Sequence, residues 1–270
     1  MKIFFYFKYL FATSLCVTLL GCSSSIKKGI NESEINAEAA KAYAEIKATS
    51  KISQNREWTA IVNRVAKRIA DSSNENFQWE VVLIDSPEVN AWCMPGGKMA
   101  VYTGIIPVVK TEAALAAVMG HEVAHATLRH GMERYARAKQ NNYWGLLAAG
   151  ASIIGGELLC KTDTCKKMAQ IGGVAAGFAI TFLDRKFSRE DETEADRRGQ
   201  LYMAKAGYAP GESILLWERM SAAKKGMEPP EFISTHPSDS RRREKLKEWL
   251  PEAQALYNQA PQQFGKGATL

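Results

Sequence analysis

Gly120-His121-Glu122-Val123-Ala124-His125 lies inside residues 111–139, a stretch with no helix breaker apart from Gly120 and Gly131. On an α-helix, positions i and i+4 share a face. His121 and His125 can therefore reach one metal ion, with Glu122 beside the water that the ion activates. The preceding run, 113–118, is apolar, and burying His, Glu and His there without partners would be costly. The pattern is accordingly read as a metal site on a buried helix.

A catalytic metal of this type takes a third protein ligand and keeps an open position. His130 is nearest in sequence, but it follows His121 by nine residues, about half a turn around a continuing helix. It is expected to be a surface or packing histidine. The better source is Ser188-Arg189-Glu190-Asp191-Glu192-Thr193-Glu194-Ala195-Asp196. Ala195, Gly199, Tyr202, Met203 and Ala206 define an inward stripe at helical spacing. Glu192 and Asp196 fall on that stripe, whereas Glu190 and Glu194 face outward with Arg197. Two acids on a buried face need a reason, and a ligand plus a partner for a ligand histidine supplies one. Glu192 is assigned to the metal and Asp196 to His121.

Around these two helices the chain reads as α+β and mainly helical, with a small sheet. Residues 38–70 look helical, with Ile61, Val65 and Ile69 at four-residue spacing. Residues 78–84 and 98–103 read as strands, and Pro95-Gly96-Gly97 as a turn. Residues 143–159 and 171–183 are Gly/Ala-rich and apolar, read as small-residue helices against the core or as a lid or membrane-touching hairpin. Further helices are expected at 188–206, 210–225 and 240–250, and residues 261–270 look frayed. The chain has 270 residues, 46% of them hydrophobic, and a formal charge of +6. Its basic residues are scattered apart from Arg241-Arg242-Arg243, with no aromatic-plus-basic stripe, which argues against nucleic acid as a partner.

The N-terminus points to a compartment. Lys2 and Lys8 precede an apolar run, 9–20, too short to span a bilayer but sized for a secretory leader. It ends in Leu19-Leu20-Gly21-Cys22, which resembles the bacterial lipobox, with Cys22 as the lipidated residue. Ser23 follows in place of the aspartate of inner-membrane retention, so the outer membrane is expected. Among the five cysteines, Cys16 leaves with the leader. Cys160 and Cys165 are expected to form a disulfide in an oxidising periplasm, and Cys93 to be a small buried hydrophobe. The expected organisation is a leader at 1–21, a tether at 22–36, one domain at 37–250 and a tail at 251–270.

His121-Glu122-xx-His125, Ser188-Arg189-xx-Glu192-xx-Ala195-Asp196, then His236-Pro237-Ser238 and Arg242, resemble the gluzincin metallopeptidase family of the CAAX prenyl proteases, HtpX and the OMA-type proteases. Asn90-Ala91-Trp92, Pro95-Gly96-Gly97 and Tyr102-Thr103-Gly104 match its soluble periplasmic branch, and the resemblance runs in order over roughly residues 40–250. It implies a zincin-type domain with its small sheet beside the His-Glu-His helix and one zinc ion per chain. Glu122 would be the general base and His236 a donor to the transition state, with Asp196 and Arg242 supporting the site. It also implies that the 98–103 strand is a sheet edge for an extended substrate, with Asn90, Ala91, Lys98, Met99 and Ala100 lining it.

The expected activity is zinc-dependent hydrolysis of periplasmic or outer-membrane proteins for quality control. Unfolded or misassembled envelope proteins would be the substrates, and a lipid anchor would hold the chain at the periplasmic face of the outer membrane. A zinc-dependent holdase or assembly lipoprotein with latent proteolysis is the alternative. A purely structural metal would have no use for Glu122.

Overall fold

The computed structural model describes residues 31–132, 135, 187–223, 232, 236 and 240–270. The expectations for the leader, Cys22, Cys160, Cys165 and the Gly/Ala-rich segments 143–159 and 171–183 lie outside the described residues. Two helices open the described chain, α1 (Glu32–Thr49) and α2 (Arg56–Ser73). Sequence periodicity suggests one helix from residue 38, preceded by a tether to 36. The helix instead begins at Glu32, 18 residues long, where Asn31 accepts the Glu34 N–H. It is interrupted because residues 51–53 are drawn off to the sheet. Ile52 bridges Ile84, and the Ser53 N–H donates to the Leu83 carbonyl at 2.9 Å. Asn55 then caps α2 by accepting the Trp58 N–H. The buried face of α2 is Ile61, Val62, Val65, Ala66 and Ile69.

The sheet has three strands, β1 (Glu80–Ile84), β2 (Ala91–Met94) and β3 (Lys98–Tyr102), in the order β1-β3-β2. β3 runs parallel to β1 and antiparallel to β2. The β2–β3 turn uses Gly96 at φ 77° and Gly97 at φ 87°, where side chains carrying a Cβ are strained. The strand at 98–102 is therefore central and bonded on both sides. Its backbone cannot take the extended substrate expected there, and Lys98, Met99 and Ala100 lose that role. The strand beside the free edge is β2, because the tight turn folds it onto β3 while β1 closes the other side.

A 3-10 turn (Thr103–Ile105) and a short α3 (Ile106–Val109) lead to α4 (Glu112–Thr127), all of whose residues are buried. α4 packs against α2, the sheet, α5 (Arg189–Lys205) and α6 (Glu212–Ala223). α5 starts with a reciprocal cap, in which Ser188 accepts the Asp191 N–H and Asp191 accepts the Ser188 N–H. The last helix, α7 (Ser240–Gln259), continues through Pro251 beyond the expected stop at 250. The result is a mainly helical α+β domain of zincin type, and no helix among the described residues is long and apolar enough to cross a membrane.

Residues 261–270 are anchored, not frayed. A helix N-terminus leaves backbone N–H groups without partners, and this segment supplies them to α4. Glu112 N–H donates to the Ala268 carbonyl and Ala113 N–H to that of Lys266, each at 3.0 Å. The Leu270 N–H in turn donates to the Lys110 carbonyl at 2.9 Å. Beneath this strap the buried Glu112 carboxylate pairs with Arg64 and accepts the Tyr208 hydroxyl at 3.1 Å. Burial alone would raise the Glu112 pKa, but Arg64 and Tyr208 reverse this and hold it below its ordinary 4.5. A depressed folded-state pKa contributes stability above the unfolded value that is lost as pH falls through the folded one. Glu112→Gln should cost roughly 1–3 kcal/mol at neutral pH. In urea unfolding, the gap from the parent should narrow as pH falls below 4.5. A gap independent of pH would trace the effect to packing.

Candidate metal centre

α4 and α5 meet backbone to backbone. A Cβ at Gly120 would stand 2.7 Å from the Gly199 carbonyl oxygen, and one at Gly199 would stand 2.7 Å from the backbone of Gly120 and His121. Only two glycines let the helices approach this closely. His121 follows the contact on α4, while Glu192 and Asp196 precede it on the same face of α5, so the approach brings them together.

Four buried side chains, His121, His125, Glu192 and His236, each offer one donor atom, all within 4.8 Å of one another. His121 Nε2 is 3.1 Å from both His125 Nε2 and His236 Nδ1. Glu192 Oε1 is 3.0 Å from His236 Nδ1 and 3.7 Å from His125 Nε2. Glu122 is buried beside them, with Oε1 3.5 Å from His236 Nε2 and no hydrogen-bond partner. His236 thus stands among the possible donors and within reach of Glu122, which the sequence could not distinguish.

Behind the centre, Asp196 Oδ1 lies 3.0 Å from His121 Nδ1. Arg242 grips Asp196 with both prongs, Nε to Oδ2 at 2.6 Å and Nη2 to Oδ1 at 2.7 Å. Its Nη1 reaches Glu192 Oε2 at 2.8 Å, an ion pair at close range that is not directed as a hydrogen bond. Trp217 supports the guanidinium, 4.1 Å from the ring centroid. Sequence reasoning gave Trp217 no role, and no local signal marks it.

The electrostatics follow from burial and these pairs. Burial pushes the Glu122 carboxyl up, against the pull of His236 and His121. Burial would also raise Glu192 and Asp196, but the histidines outweigh it for the first and Arg242 for the second, so both are held low. Burial lowers His121, yet Asp196 and Glu192 outweigh it and hold the ring at about 9. His125 is driven well down, first by burial and then by the charge on His121.

This arrangement fits a divalent cation. Three buried carboxyl groups, Glu122, Glu192 and Asp196, face one guanidinium, and without a metal ion the His121 ring takes up a proton among them; a cation in the donor cluster would replace that charge. Imidazole nitrogens with a carboxylate oxygen are a zinc donor set.

Residues 53–250 match the family described as Peptidase family M48. The chain belongs to this family. Its zinc dependence and the donor set together make zinc the cofactor. The chain is 40% identical over 199 residues to the mitochondrial metalloendopeptidase OMA1 of Schizosaccharomyces pombe, covering 73% of this chain and 54% of that one. It is 33% identical over 202 residues to the Saccharomyces cerevisiae protein of the same name, covering 71% and 53%. The beta-barrel assembly-enhancing protease of Escherichia coli is 28% identical over 181 residues, covering 66% and 36%. The chain thus spans about half the length of the two yeast relatives.

Two aromatic rings flank His125, and sequence reasoning gave the first of them no role. Phe187 stacks on its ring, with centroids 3.9 Å apart. His130, expected to be a surface or packing histidine, is the latter, with a side chain only 6% exposed and set beside that ring. Cys93 on β2 is a free, half-buried cysteine whose thiol is pushed up by burial and by the nearby Glu122.

Gly199→Ala should force α4 and α5 apart, costing about 1–3 kcal/mol in overpacking and weakening zinc binding. Gly211→Ala, where a Cβ meets nothing within 4 Å, should leave zinc binding unchanged. Denaturant unfolding and chelator competition on both variants check this.

Proposed function

We propose that the protein is a zinc-dependent endopeptidase that cleaves unfolded or misassembled proteins of the bacterial envelope. The single observation carrying this reading is Glu122, a carboxylate enclosed beside four metal donors with one oxygen free of any hydrogen bond. A metal that only stabilised the fold would have no use for it.

His121, His125 and Glu192 would hold the zinc. When bound, zinc polarises the scissile carbonyl and makes a coordinated water acidic near neutral pH. Glu122 takes the proton of the attacking water and delivers it to the leaving amine. Its raised pKa suits that exchange, since a general base works best when poised near the operating pH. His236 donates to the oxygen on which charge develops. Its ring stacks on Phe232, with centroids 4.9 Å apart, and the His236 backbone N–H donates to the Phe232 carbonyl at 2.9 Å. Arg242 and Asp196 orient Glu192 and His121.

The substrate would lie extended along the outer edge of β2, adding a strand. Ala91 belongs to that edge and Asn90 leads into it. The Asn90 side chain accepts the Ala91 N–H at 2.9 Å and donates to Glu88 at 2.7 Å, which stiffens the strand entrance.

The setting rests on the N-terminal residues. A leader ending at Gly21 and a lipid on Cys22 would anchor the chain at the periplasmic face of the outer membrane, where Cys160 and Cys165 would pair. The name of the Escherichia coli relative, with its reference to β-barrel assembly, favours envelope proteins as substrates. The yeast relatives are named as mitochondrial.

Glu122→Gln tests the reading. It should retain one zinc per chain and lose casein hydrolysis, whereas parental hydrolysis would sink the general-base role. Suppression of casein aggregation by a variant and a parent that both fail to cleave would favour the holdase. His236→Phe, loaded with zinc, should lower kcat by on the order of 10²–10³ with a smaller change in KM. Lost zinc at unchanged kcat per bound metal would make His236 a ligand instead.

A further inference from the structure

His125 points one ring nitrogen, Nε2, into the donor cluster. Its other nitrogen meets His130, with Nδ1 to Nδ1 at 2.9 Å. His130 Nε2 continues to Glu194 Oε2 at 3.3 Å, with Asp191 Oδ1 at 3.8 Å. Both acids are on α5, the helix that carries Glu192.

The approach depends on how α4 ends. The helix stops at Thr127, and Arg129 takes the left-handed conformation at φ 61°. The His130 N–H then donates to the His125 carbonyl at 3.1 Å and the Arg129 N–H to that of Ala126 at 3.2 Å. This closure folds residue 130 back over the last turn. Glycine usually fills the left-handed position, where a side chain carrying a Cβ is strained. Ion pairs compensate, since Arg129 reaches Glu32 at 3.0 Å and Glu75 at 2.7 Å. A turn held this firmly places the His130 ring reproducibly.

The proton positions then follow. A neutral imidazole has one N–H and one bare nitrogen. If Nε2 of His125 is free to bind metal, its Nδ1 must carry the hydrogen and donate. His130 Nδ1 must accept, which puts the His130 proton on Nε2, facing the Glu194 carboxylate. Only one pair of tautomers satisfies every contact. We propose that His130 is a positioning residue, which fixes the tautomer and ring orientation of His125 by relaying it to the carboxylates of α5.

Both imidazoles of α4 are then braced from behind by α5. Asp196 stands directly at His121 Nδ1, 3.0 Å away, and Glu194 acts on His125 through His130. Phe187 fixes the remaining freedom by stacking on the His125 face. Metal-binding histidines in general hand their second ring N–H to an acceptor, and loss of such an acceptor typically costs 10–100-fold in metal affinity.

The proposal rests on the reading of His125 as a zinc ligand, and the test separates the two. Zinc affinity is measured by chelator competition at one pH on the full chain, alongside the unfolding midpoint of the metal-free form. His130→Ala should weaken zinc binding about 10–100-fold. His130→Asn, whose side-chain oxygen can accept from His125 Nδ1, should restore most of the affinity. Glu194→Gln, a change at a largely exposed side chain, should weaken it by a few-fold. Nitrogen NMR of the zinc-loaded parent should find His125 protonated at Nδ1 and His130 bare at Nδ1. Parental affinity in His130→Ala would overturn the proposal. So would a His130→Asn variant as weak as His130→Ala, or a His130 protonated at Nδ1. His125→Ala binding zinc as the parent does would overturn the ligand reading itself and the proposal with it.

Discussion

Gly120 and Gly199 touch across α4 and α5 with no side chain between them, and the metal centre is built on that contact. A Cβ on either residue would stand 2.7 Å from backbone of the opposite helix. Flexible side chains can move aside, but backbone packed on both faces cannot. The separation of the helices is therefore set by main-chain contact, and the donor spacing follows from it. His121 is one residue from the contact, and Glu192 and Asp196 lie within two turns of it on the facing stripe.

Such a centre requires enclosed charge. Burying carboxylates is unfavourable unless each is paired, and Arg242 meets that need from a third helix. It engages Asp196 through two hydrogen bonds, approaches Glu192 at 2.8 Å and rests on Trp217. One guanidinium therefore couples α7 to both acids of α5. Glu122 is outside this pairing, and burial leaves its carboxyl raised. The acids are thus divided by environment into two held ionised and one available for proton exchange, the separation that acid–base chemistry uses.

The ends of α4 are controlled as closely as its middle. At its start, the final residues of the chain accept N–H groups that would otherwise be orphaned, over the Glu112–Arg64 pair. At its finish, the left-handed Arg129 returns the backbone toward His125. A helix whose every residue is buried cannot satisfy its ends with water, so other segments supply partners. The distant strap at 261–270 does so at the start, beside the Thr111 cap, and the adjoining Arg129 turn does so at the finish.

The sequence by itself determined what depends on helical periodicity. The four-residue spacing of His121 and His125 puts them on one face in any helix, and the same period places Glu192 and Asp196 on the stripe that includes Gly199. Their types, with Glu122, are enough to suggest the chemistry. Tertiary structure decided whatever depends on pairing between distant segments. The strand at 98–102 is central because β1 and β2 both bond to it, and its alternation is the same at an edge or in the middle. Residues 51–53 leave the helical path because the β1 edge draws them in, and the C-terminal strap holds because α4 offers donors there. His130 shows the limit most clearly: counted along a continuing helix it faces away, but one left-handed residue ends the helix and brings it 2.9 Å from His125. Periodicity is local and can be read from a few residues, whereas a backbone reversal is stabilised by Glu32 and Glu75, which lie more than fifty residues away in the chain.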